Sequence, residues 1–138
     1  MSSPLHHRKI KQIVFDLGGT TFQCQVENFN FVNNTPDGAK IYSMCPDGVD
    51  LEETDEDWAL TLRFFSDWRV NGISDFLMLN DGTNATLELE HHPDIPTEHT
   101  IWNAVARIKA PNVGGDVKVT ERQEVTLQLL EKPTYTRP

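Results

Sequence analysis

The sequence is short of positive charge, of cysteine and of helical pattern, and each shortage closes off a class of function. Lys and Arg number 12 against 21 Asp and Glu, a formal net charge of −9. Nucleic-acid affinity rests on cations displacing counterions from phosphate, so a chain of this sign repels a polyphosphate rather than gripping it. An anionic membrane surface is disfavoured for the same reason, and no apolar run is long enough to span a bilayer. The opening MSSPLHHRKI has no apolar stretch of the secretory kind. Cys24 and Cys45 sit in no metal-ligand spacing and are expected as reduced thiols. A chain of 138 residues suffices for one domain with its own core and is too short for a two-lobed enzyme.

What is present is strand pattern. Residues 10–17 and 20–26 flank Gly18-Gly19, and a two-residue Gly-Gly loop suits a hairpin because both positions tolerate positive φ. Folding about that pair sets Leu17 opposite Thr20, Phe15 opposite Phe22, Ile13 opposite Cys24 and Lys11 opposite Val26. One face then collects Ile13, Phe15, Leu17, Phe22, Cys24 and Val26, the other Gln12, Asp16, Thr21, Gln23 and Gln25, with Val14 the exception. After Val26 the apolar phase slips to Phe29 and Phe31, which predicts a bulge near Glu27-Asn28. Trp58, Leu60, Leu62 and Phe64 alternate as a core strand, and alternation returns over 84–92, 100–109 and 117–131. A single helix is expected at about 74–81, with Ser74 as N-cap, Asp75 in the first turn, an apolar 76–79 stripe and Gly82 at the C′ position. The tail KPTYTRP holds too much proline for regular structure. The expectation is a single mainly β domain over 1–138, a β-sandwich or partly open barrel of about six or seven antiparallel strands with one short flanking helix. A flexible segment 1–9, a long loop 33–57 and a C-terminal arm 131–138 complete it. The loop, with two Pro-Asp-Gly turns around IYSMC and then an acidic run, is longer than compact domains usually keep without a task, and a contact-making arm or hairpin is expected there.

Chemistry-bearing constellations are few. Asp16-Leu17-Gly18-Gly19-Thr20 has the outline of a sugar-kinase phosphate loop, but such an enzyme needs a second phosphate loop and an adenosine pocket. The 118 residues after Thr20 read as β-structure without crossover helices, so a hairpin turn is preferred. HHPDIPTEH (91–99) supplies His91, His92, Asp94 and His99, with Glu98, as metal-type side chains, but in no ligand spacing such as H-E-x-x-H; a polar loop with incidental histidines is favoured. His6 and His7 would bind metal only in a floppy terminus. Asp47, Asp50, Glu52, Glu53, Asp55, Glu56 and Asp57 lack the alternating EF-hand order. Trp58 and Trp102 fall on the apolar side of their strands, so core packing takes precedence over a sugar-stacking platform. No catalytic residue and no cofactor is expected.

Three segments in succession, WALTLRFFSDWR (58–69), GISDFLMLNDGTNATLELEHHP (72–93) and NVGGDVKVTERQEVTLQLLEKPT (112–134), resemble the tail tube (major tail) proteins of long-tailed, non-contractile bacteriophages. The likeness lies in the order: a strand ending in Asp-Trp, a short helix, an Asn-x-Gly turn, an alternating strand and a closing strand before Lys-Pro-Thr. It covers roughly 20–134. The resemblance implies a structural, non-enzymatic virion protein made in the bacterial host cytoplasm. Six copies would form a ring whose sheets join into one barrel, and rings would stack into the tube through which genome DNA is ejected. Implied partners are the chain itself, a tape-measure protein in the lumen, and terminator and distal tail proteins; DNA passes without specific binding and no membrane is involved. The 33–57 loop would then reach the neighbouring ring, with Pro36, Asp37, Lys40, Tyr42, Met44, Asp47, Glu52, Glu53 and Asp55 as contact candidates. Gln12, Gln23, Gln25, Glu88 and Glu90 are candidates for the lumen wall, where acidic or amide side chains let DNA slide. The alternatives are a tail terminator or other ring protein of the same fold, a ligand- or carbohydrate-binding β-sandwich module, and a small metal-dependent enzyme using the 91–99 loop.

Overall fold

The computed structural model describes residues 8–22, 24–45 and 47–138. Among the described residues there are ten strands and one helix: β1 (Ile13–Leu17), β2 (Thr20–Thr21), β3 (Val26–Asn33), β4 (Lys40–Tyr42), β5 (Val49–Leu51), β6 (Trp58–Phe65), α1 (Ile73–Leu79), β7 (Asn84–His91), β8 (Thr100–Arg107), β9 (Arg122–Gln128) and β10 (Thr134–Thr136). They form three antiparallel sheets: a five-stranded sheet A in the order β10-β8-β7-β1-β2, a three-stranded sheet B in the order β3-β6-β9, and a detached two-stranded ribbon, β4-β5. The fold is mainly β, in keeping with a sandwich or partly open barrel. β1, β3, β6, β7, β8 and β9 are the long strands; the other four run to only two or three residues.

The glycine pair behaves as its flanks require. Gly18 and Gly19 take φ of 62° and 89°, both in the region where a side chain is strained, and Leu17 faces Thr20 and Asp16 faces Thr21. The Phe22 amide donates to the Phe15 carbonyl at 2.9 Å, so the expected register holds that far. It then ends. A turn in which the Gln25 amide donates to Phe22 O (3.0 Å) swings the chain out of sheet A, and Val26 pairs with Phe64 in sheet B. The expected pairs Ile13–Cys24 and Lys11–Val26 therefore do not form, and Cys24 is exposed rather than on the apolar face. Crossing here lets one apolar run serve both layers: Phe22 stays under sheet A while Phe29 and Phe31 line sheet B. The register shift between Val26 and Asn28 is the expected bulge.

Between the sheets lies one core, with Phe15, Leu17, Leu87 and Leu89 from sheet A against Leu60, Leu62, Phe64 and Leu127 from sheet B, all essentially without solvent contact. Full burial of each large side chain is worth about 1.5–3 kcal/mol, so the alternation of these strands decides which way each sheet faces. Among the described residues, backbone bonds join a strand of one layer to the other on one side. The Leu130 amide donates to Val105 O at 3.0 Å and Ala106 bridges Leu129, joining the end of β9 to β8. Across the molecule, the start of β1 and the start of β3 stand apart, with a cleft between them.

The helix covers the Gly18 turn, its Phe76 ring 5.4 Å from that of Phe22. Ile73 and Leu77 enter the core, whereas Met78 and Leu79 face solvent, so only half of the expected apolar stripe is buried. The helix runs 73–79 rather than 74–81, and its N-cap is Gly72, not Ser74. The Ser74 hydroxyl is used elsewhere, accepting from the Asp67 amide at 3.2 Å and tying the helix to the preceding loop. That loop passes so close that a Cβ on Gly72 would lie 2.5 Å from the Asp67 carbonyl oxygen. Gly82, with φ of 83°, is not the C′ residue as expected but lies one position beyond it, since Asn80 is the C-cap and Asp81 therefore C′. Two strand expectations also change. The last long strand begins at Arg122, because Lys118 takes a φ of 64° within the exposed turn 117–119. The proline-rich tail, in turn, gives β10, an edge strand on β8 that starts just after the buried Pro133, with Tyr135 against Trp102 at 4.9 Å.

Candidate functional site

Two surfaces stand out, the outer face of sheet A and the β4-β5 ribbon. On sheet A, residues 87 and 89 point to the core, so 86, 88 and 90 point outward. Register places Asp16 opposite Glu88 and Glu88 opposite Asn103, with Val14 opposite Glu90 one step along. Gln12 continues the outward phase of β1 and is exposed. Gln12, Glu88 and Glu90 therefore share one face, with Asp16 and Asn103 added to it. Asp16 and Glu88, directly opposed carboxylates, oppose folding, since like charges at a cross-strand pair destabilise a sheet. Glu90 is pinned: its Oε1 lies 2.8 Å from Nε2 of His99. Gln25 does not belong to this face; it sits in the turn between the two sheets, its carbonyl accepting from the Phe65 amide at 2.8 Å. Gln23 lies outside the described residues, as do His6 and His7.

The outer face of sheet B is different in kind. Arg63 and Arg122 both reach Glu27, at 2.8 and 3.5 Å, and Arg122 also stands over the Phe65 ring at 5.1 Å. Thr61 and Thr126 hydroxyls meet at 3.2 Å. Charge there is mixed and paired, whereas the sheet A face carries opposed carboxylates.

The ribbon is the second surface. Asn34 donates to Asp57 O at 2.7 Å and the Asp57 amide to the Thr35 hydroxyl at 2.9 Å, closing a neck from which the chain projects. Beyond it the Glu52 amide meets Ala39 O, and Lys40, Ile41 and Tyr42 pair with Leu51, Asp50 and Val49. Among the described elements, the two strands pair only with each other. Tyr42 is 73% exposed and Met44 fully so, and Ile41, Val49 and Leu51 are more than 45% exposed. A two-stranded ribbon with no packed face is marginal in water. Pro36, Asp37, Lys40, Tyr42, Met44, Asp47, Glu52, Glu53 and Asp55 are all exposed on this projection. Residues 34–57 hold eight acidic side chains and one basic, a net −7 of the chain's −9. That concentration is plain in the sequence; the bareness of the apolar side chains needed the fold.

The 91–99 loop is organised by packing and pairs rather than by convergence. The His91 and His92 rings stack at 4.1 Å, His91 also meets Phe29 at 5.8 Å, and the buried His91 Nε2 and His92 Nδ1 have no hydrogen-bond partner. Burial, and then the charge His92 would carry, hold His91 below the ordinary imidazole range, against the opposing pull of Glu98. Glu98 pairs with Arg8 at 3.2 Å, His99 with Glu90, and Asp94 is exposed. No three His, Cys, Asp or Glu side chains among the described residues are grouped to hold a metal ion. At the Asp16–Thr20 turn, the Gly18 amide is committed to Thr86 O at 2.8 Å, so it does not point out as a phosphate cradle would. Trp58 and Trp102 pack against the core, and Trp68 donates to Glu121 at 3.2 Å.

No protein-family model matches the sequence, and no curated protein matches it significantly.

Proposed function

We propose that the protein is a structural subunit that self-assembles into hexameric rings, stacked as the tail tube of a long-tailed bacteriophage, the conduit for genome DNA. The observation that carries this reading is the detached ribbon. Its bare apolar side chains and marginal pairing make sense as a surface completed by another subunit, and a 24-residue projection is longer than compact domains usually keep without a binding task. Open sheet edges support it too: β3, and β9 before its end meets β8, flank sheet B with their outer edges paired by no other described strand, and such edges are protected when neighbours in a ring pair with them. The sheet A face fits a lumen wall. Opposed Asp16 and Glu88 cost stability, and a carboxylate surface repels DNA instead of holding it phosphate by phosphate. Tape-measure, terminator and distal tail proteins would be the remaining partners, and the virion tail the place of action.

Electron microscopy of the purified chain tests the reading. Long tubes support it. Isolated rings that never stack would favour a terminator, and a protein that stays monomeric at high concentration would overturn both. A carbohydrate-binding module is the weaker reading, because two of the three tryptophans, Trp58 and Trp102, are partly buried and packed against the core.

A further inference from the structure

We infer that the cleft between the start of β1 and the start of β3 is the seat for the β4-β5 ribbon of a second copy. This rests on the self-assembly reading and names the surface that receives the ribbon. The cleft is lined by Ile10 and Ile13 with Lys11 and Gln12 on one side, and by Val26 and Phe29 with Glu27 and Asn28 on the other. Its volume of about 270 Å³ falls below the ~300 Å³ at which small-molecule pockets begin, which suits one or two inserted side chains better than a ligand. Ile10 is 55% exposed, so an apolar residue already waits at its mouth. Beside it, Ile13 and Val14 have β7 on one side and no described strand on the other, leaving backbone groups for an incoming strand.

Charge selects the occupant. Lys9 and Lys11 flank Ile10 and are exposed, and Arg63 and Arg122 stand behind Glu27 on the opposite wall. Glu27, on the lining, is taken by Arg63 and Arg122, which leaves the exposed Lys9 and Lys11 to meet an acidic occupant. The ribbon brings the complement: Tyr42 and Met44 as apolar plugs within a segment of net charge −7. Position selects a second copy. The ribbon leaves from Asn33, the far end of β3, whereas the cleft is lined by Val26–Phe29 at its beginning. Four to seven residues of strand, at about 3.3 Å each, separate Asn33 at the donor end from the Val26–Phe29 wall at the acceptor end. Joining unlike ends is a heterologous contact, and along the strand direction it propagates without closing.

The native thiols report on it. Cys45 lies at the ribbon tip, Cys24 two residues before Val26, and both are free and exposed. Treating the assembled wild-type protein with a short bis-maleimide is expected to give a ladder of covalent multimers extending past the dimer, lost in both Cys24→Ser and Cys45→Ser. Lys9→Glu with Lys11→Glu should lose the ladder, and adding Glu52→Lys with Glu53→Lys should restore it. A product that stops at dimer and needs only Cys45, an intramolecular link, or no link although a monofunctional maleimide labels both thiols would overturn the seat. Tubes seen without the ladder would reject the seat and leave the tail-tube reading standing; the ladder without tubes would do the reverse.

Discussion

Removing the two most exposed apolar side chains of the ribbon separates folding from assembly. Tyr42 and Met44 are 73% and 103% exposed, so the isolated domain has almost nothing to lose when both become Ala. Surface substitutions of this kind stay within about 0.5 kcal/mol, and the melting temperature of the monomer should not move by more than a degree or two. In an assembled state the same side chains are covered. Burying a large apolar side chain fully contributes about 1.5–3 kcal/mol, and every 1.4 kcal/mol is tenfold in an equilibrium constant. Each substitution should therefore raise the critical concentration for assembly by roughly 10- to 100-fold. The double variant should stay unassembled at concentrations where wild type forms polymers. Light scattering against concentration, paired with thermal denaturation of dilute protein, measures both quantities. An unchanged critical concentration refutes the reasoning, and so does a large loss of thermal stability, which would mean that the ribbon packs on its own domain.

Other expectations follow from the same geometry. Gly18→Ala and Gly19→Ala each force a side chain into positive φ, at about 1–2 kcal/mol. Only at Gly18 would the new Cβ also meet the Phe76 ring, at 2.9 Å, so denaturant titration should rank Gly18→Ala as the more damaging; the reverse order would put the turn in another conformation. Glu88→Gln relieves the carboxylate opposed to Asp16 and should stabilise by about 0.2–1 kcal/mol. In phage carrying it together with Glu90→Gln, DNA ejection should slow if this face lines the lumen, and unchanged ejection kinetics would place the lumen elsewhere. His91, held low by burial with His92 beside it, takes up its proton in the unfolded chain before the folded one. Stability should accordingly be full above the ordinary histidine value of about 6.5 and fall as pH drops below it. His91→Asn should flatten that slope in urea titrations between pH 7 and 5, and an unaltered slope would assign it to another group.

Much of the fold was legible because its strongest signals are local. Two adjacent glycines and the sorting of Phe15, Leu17 and Phe22 define a hairpin without reference to anything distant, and the alternation in 58–65 fixes which way β6 faces. The errors share one cause, which is that local pattern cannot see a partner. Residues 20–26 alternate equally well as one strand or as a strand that leaves after Thr21, and only the ladder with Phe64 decides. Ser74 is a good cap in isolation, yet Asp67 claims its hydroxyl. Prolines at 133 and 138 bracket β10 rather than interrupt it, which becomes visible only once β8 offers an edge. The candidate surfaces divide in the same way. The acidic ribbon could be read off the chain, whereas the opposition of Asp16 and Glu88 depends on β1 lying beside β7, a pairing across about 70 residues of sequence.

Sedimentation velocity of the purified wild-type chain over a rising concentration series tests self-assembly most directly. Boundaries of ring size and larger, growing at the expense of monomer as concentration rises, are expected. A single monomer boundary at every concentration would contradict the proposal that this domain is a subunit of a tube.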